Sequence, residues 1–155
     1  MKFKLTALIT SFLLLTSNAA LSIETKHHAM DHKMMHDSAV SDNRISLNLP
    51  PMMKLHQLSN MRAHLDAIRN IVASLAEEDF TTASNIASQQ LGSNKEMMMM
   101  CNSFKNEDFK AMGLAFHKSA DKLSETLKEG NIQTSLRALK TTMNSCVSCH
   151  ATFKQ

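Results

Sequence analysis

The 155-residue chain has no tryptophan and no tyrosine, only three glycines and two prolines, and three cysteines. Without Trp or Tyr, its near-ultraviolet absorbance would come almost wholly from any bound chromophore. So little Gly and Pro, with no alternating β-branched runs, leaves out the turn-punctuated pattern of sandwiches and barrels and predicts an all-α class. Lys+Arg 17 against Asp+Glu 14 is close to balance, and no basic patch argues for nucleic acid. No nucleophile–base pair or paired carboxylates suggest an enzyme. No second Cys pair or His-x-His pair completes the four ligands of a structural zinc site.

What is present is segmented. Lys2 and Lys4, the apolar run Leu5 to Leu15 and the small residues Ser17-Asn18-Ala19 read as a signal peptide over residues 1–22. The apolar run is too short to span a bilayer, and no cysteine follows it for lipid attachment. The expectation is export, to the periplasm of a Gram-negative cell, with no stable membrane insertion after cleavage. Loss of Lys2 and Lys4 lowers the formal charge from +3 to +1. Residues 23–49 lack apolar periodicity and read as a flexible tail. They hold His27, His28, Met30, His32, Met34, Met35 and His36 with Asp31 and Asp37, soft donors suited to copper. This stretch resembles the Met-Asp-His segments of periplasmic copper-resistance proteins; a solvated spacer is the plainer reading.

Residues 50–155 carry helical periodicity. The first helix starts at Pro50-Pro51 and runs to about Ala76, with Leu58, Met61, Leu65, Ile68, Val72 and Leu75 inward. Asp79 then caps a second helix with Phe80, Ala83, Ala87 and Leu91 inward, closed by Gly92. Residues 93–106 read as a loop holding Met97-Met98-Met99-Met100-Cys101. A third helix, 107–128, turns Phe109, Met112, Phe116, Ala120, Leu123 and Leu127 inward. Gly130 ends it and Asn131 caps the fourth, 131–153, whose seam is Ile132, Leu136, Leu139, Met143, Cys146, His150 and Phe153. Four amphipathic helices on mostly short links predict an antiparallel four-helix bundle.

The last helix carries Cys146-Val147-Ser148-Cys149-His150. Cys146 and Cys149, three apart, share a helical face. Two such thiols can add across the two vinyl groups of one haem to give thioethers, and the next residue offers an imidazole to the iron. A thioredoxin-like Cys pair would open a helix after a strand, whereas this one closes a helix. A Cys146–Cys149 disulfide would constrain almost nothing. Cys101 is left over and reads as a small buried hydrophobe, with a second soft-metal site at the methionine run as the alternative.

Residues 50–155 resemble the cytochrome c′ family, through CxxCH at the end of the fourth helix and the following Ala151-Thr152-Phe153-Lys154, which match the family's two residues, an aromatic and a basic residue. The resemblance implies one covalent haem c on Cys146 and Cys149, His150 as the proximal iron ligand, and Lys154 close to the haem. The short first turn and short second helix depart from the family pattern and bear on the distal pocket. Family members with an apolar distal residue bind small gases at five-coordinate iron, and those with Met there are six-coordinate electron carriers. The matching position here falls at or beside Met61; His64 is the first rival, with His56 and His117 behind it. The expected function is periplasmic electron transfer by a mono-haem cytochrome, with redox proteins and a second copy of the chain as expected partners. The alternatives are a gas-binding protein and a copper-handling protein that uses the tail.

Overall fold

The computed structural model describes residues 41–155. The expected signal peptide (1–22) and the expected copper ligands His27, His28, Met30, His32, Met34, Met35 and His36 lie outside the described residues. The described chain is all-α apart from one two-residue strand pair. None of its helices is long and apolar enough to cross a membrane.

Helix α1 (Pro51–Ala76) opens on proline, which gives up nothing there because first-turn N–H groups have no helical partner. The chain then turns through Glu78, whose φ of 56° is left-handed. Asp79 Oδ1 accepts the Thr82 N–H at 2.9 Å and starts α2 (Phe80–Ile86). That hydrogen bond holds the Asp79 carboxyl below the ordinary carboxylate value, so this cap is intact at neutral pH and weakens in acid.

Helix α2 widens into a single π turn, Ala87–Leu91. Gly92 ends this segment as expected, in an extended conformation (φ −71°, ψ 176°). Glycine is there for room: a Cβ would run into the Ser88 carbonyl and the Asp121 carboxylate. The stretch expected to be a loop contains helix α3 (Lys95–Ser103), capped by Asn94 Oδ1 on the Met97 N–H at 2.9 Å. Methionine is a good helix former, so a capped run of four has reason to be helical.

Helix α4 (Glu107–Leu127) is capped by Asn106, and α5 (Ile132–Thr152) by Asn131, whose Oδ1 accepts the Thr134 N–H at 3.0 Å. Between them Gly130 adopts the expected left-handed φ of 67°. Asn131→Ala is expected to lower stability by about 1 kcal/mol in urea denaturation, the usual cost of losing an N-cap.

The main core joins Ala67, Ile68, Ile71 and Leu75 of α1 to Ala83, Ala87 and Leu91, to Phe116, Ala120, Leu123 and Leu127 of α4, and to Leu139 of α5. Helices α2 and α4 meet through serines: the Ser84 and Ser124 hydroxyls each donate to the other's carbonyl at 3.0 Å. Two inward faces differ from the sequence expectation. On α1, Leu65 is 71% and Val72 49% exposed, while Ala67 and Ile71 are fully buried. On α5, Leu136 and Met143 are 50% and 43% exposed, and Ser135 and Thr142 are fully buried. Close approach explains the α5 shift, since small side chains let α5 lie near α4 and Thr142 Oγ1 reaches the Ser119 carbonyl at 3.3 Å.

Residues 42–49, expected to belong to the free tail, are bound to the end of α5. Strand β1 (Ile45–Ser46) pairs in parallel with β2 (Phe153–Lys154), and the Leu47 N–H donates to the Lys154 carbonyl at 3.0 Å. Leu47 and Leu49 pack on a second apolar cluster built from Phe104, Phe109 and Phe153. In that cluster Phe109 meets Phe104 and Phe153 edge-on, at centroid distances of 4.7 and 5.3 Å.

Candidate functional site

The main core stops short of the C-terminal end of α5. There α1, α3, α4, the end of α5 and the 42–49 strap surround a mostly apolar cavity of about 660 Å³, within the usual range for small-molecule and cofactor sites. Its wall includes Cys146, Cys149, His150 and Lys154 from the C-terminal segment, with Met61 and His64 from α1. Cys101 and His117 line it too, but His56 does not.

Cys146 and Cys149 are half-buried free thiols. Burial pushes both thiols up, and the charge of Cys146 raises Cys149 further. A nucleophilic Cys-x-x-Cys is favoured by the opposite shift. His150 is exposed rather than on the buried stripe expected of it, because this last turn of α5 faces the cavity and not another helix.

From α1, His64 presses its ring against Phe116 and His117, at centroid distances of 5.0 and 5.6 Å. Its Nε2 is buried and has no hydrogen-bond partner. Burial, with a smaller push from His117, lowers its pKa to about 4, so at neutral pH the ring is uncharged. His117 is itself buried, and its Nδ1 lies 2.7 Å from the Leu91 carbonyl. A carbonyl only accepts, so Nδ1 carries the hydrogen. Met61, one turn before His64, is half-buried. Cys101 is buried against α4, where a Cβ on Gly113 would lie 3.1 Å from its sulfur; burial raises its thiol too.

The rim is basic. Arg44, Arg62 and Lys154 line it. Asp42 pairs with Arg44 at 2.9 Å and with Lys154 at 3.4 Å. The Arg44 hydrogen bonds hold the Asp42 carboxyl well below the usual carboxylate range. Arg44 Nη1 also donates to the His150 carbonyl at 3.3 Å, and Lys154 Nζ to the Asp42 carbonyl at 3.0 Å. Sequence reasoning missed Arg44, since one charge pair in a polar run has no periodicity to mark it. Among the described residues no three His, Cys, Asp or Glu side chains converge as a metal site; the donors are spread around the cavity wall.

No family model, no curated protein and no solved structure matches the chain.

Proposed function

We propose that the protein is an exported mono-haem c-type cytochrome of the cytochrome c′ kind, an antiparallel four-helix bundle that carries single electrons between periplasmic redox partners. The observation that carries this reading is the pair Cys146 and Cys149, followed by His150, on the wall of an apolar cavity of about 660 Å³. Leu65, Met143 and Val147 add support. They are large exposed apolar side chains, at 71%, 43% and 68%, and all three line that cavity. A flat apolar group would take them out of water, at roughly 25 cal/mol per Å² covered. The basic rim of Arg44, Arg62 and Lys154 suits two carboxylates at the edge of such a group.

When bound, the haem iron supplies a one-electron couple. Cys146 and Cys149 would hold it through two thioethers, the His150 imidazole would ligate the iron, and α1 would offer a second ligand, since Met61 and His64 line the cavity one turn apart. The surrounding Phe, Met, Leu and Ile side chains would keep water from the iron, which would limit reorganisation on electron transfer and help set the potential.

Intact-mass measurement of the protein from a cell able to attach haem c tests this reading. The expected result is one haem added covalently and colour that stays with the chain through acid–acetone extraction. A protein of unmodified mass, or colour that extracts freely, would overturn it.

A further inference from the structure

A buried imidazole nitrogen without a partner is a costly arrangement, worth about 1–3 kcal/mol of lost hydrogen bonding. His64 Nε2 is in that position, on a residue that lines the same cavity as Cys146, Cys149 and His150. The His64 ring is also held: Phe116 packs against it at 5.0 Å and His117 stands edge-on to it at 5.6 Å. His117 in turn is anchored by its 2.7 Å hydrogen bond to the Leu91 carbonyl, at the end of the π turn. A neutral, fixed imidazole whose lone pair or N–H meets nothing in the protein is a ligand waiting for an acceptor of that bond.

We propose that His64, and not Met61, supplies the second axial ligand to the haem iron, giving two imidazoles, His64 and His150. This rests on the haem reading above. The choice between the two α1 residues follows from what each does when unligated. A thioether in an apolar wall loses nothing, because it has almost no hydrogen bonding to give up. An imidazole there is left unsatisfied until something binds it. The consequence is functional: a thioether ligand raises the potential of a haem c, so an imidazole in its place sets the protein at the lower-potential end of electron carriers.

The experiment compares the intact holoprotein with Met61→Leu and His64→Ala. The parent should be low-spin when oxidised, without a near-infrared sulfur-to-iron band, and its reduced form should bind carbon monoxide poorly. Met61→Leu should leave all of this unchanged. His64→Ala should turn the iron high-spin and open it to carbon monoxide, and added imidazole should restore the low-spin spectrum. Rescue by imidazole separates lost ligation from a damaged fold. A sulfur band that disappears in Met61→Leu would overturn the proposal in favour of Met61. A parent already high-spin and open to carbon monoxide would overturn it in favour of a five-coordinate gas-binding site. Covalent haem is measured separately by mass, so both of those results leave the haem reading standing; a chain that carries no haem overturns both.

Discussion

The double variant Cys146→Ala, Cys149→Ala is expected to lose all colour on acid–acetone extraction, where the parent loses none. Only sulfur can form the thioethers, and these two half-buried thiols are the pair spaced one helical turn apart on the cavity wall. Cys101, which also lines the cavity, is packed against Gly113, so Cys101→Ala should keep the full covalent yield. Each single variant at Cys146 or Cys149 should retain one bond and part of the yield. Stability should fall in the double variant as well. A group held only by axial ligation can leave, and its contribution then follows concentration, about 2.7 kcal/mol at a hundredfold excess over Kd and nothing at high dilution. The melting temperature of the double variant should therefore depend on added haem, and that of the parent should not. Covalent haem surviving in the double variant would sink the assignment of these thiols.

Leu123→Ala should destabilise the protein by about 3–4 kcal/mol, inside the range measured for leucine truncation in close-packed cores. Leu123 is fully buried in the main core, away from the cavity, and its neighbours come from four helical segments that cannot all collapse onto the void. The informative control is Val72→Ala. The three-four spacing of α1 predicts Val72 inward, yet it is 49% exposed and outside the cavity wall. Its truncation should change stability by no more than about 0.5 kcal/mol. Urea midpoints at unchanged slope provide the measurement. Comparable losses for the two variants would mean that α1 presents its Leu65–Val72 stripe to the core.

That control marks where sequence periodicity reaches its limit. The helix ends were legible because each has a local chemical cause: Pro51 at a first turn, Asp79 and Asn131 as caps, Gly130 at a left-handed φ. The inward face of α4 was legible through its large apolar members, Phe109, Phe116, Leu123 and Leu127, whereas the buried His117 and Ser124 on the same helix were not. On α1 and α5 the apolar stripe is wider than the buried one. On α5 packing selected the edge with smaller side chains, Ser135 and Thr142, because close helix approach favours them; on α1 it selected Ala67 and Ile71. The larger Leu65 and Met143 turn to the cavity. At the site, CxxCH was legible as a motif and His64 as a histidine one turn from Met61. The loneliness of its Nε2 was not, since that depends on what Phe116 and His117 surround it with. Helix α3 had its signal in Asn94 and Glu96 ahead of the methionine run. The Arg44 contact with the His150 carbonyl had none, because it joins the two ends of the described chain.

The parallel pairing of residue 45 with residue 153 also says something about time. Contacts far apart in sequence form after local ones. The α4–α5 hairpin, joined by a short turn, is local; the strap is a long-range contact between residues 45–46 and 153–154. Closing so long a loop costs little more than closing one half its length, so the strap is late without being weak. The strap closes on the Cys146–His150 end of α5, where Asp42, Arg44 and Lys154 are tied across the cavity rim. The hydrogen bond from Arg44 to the His150 carbonyl that fastens the strap also holds the last turn of α5.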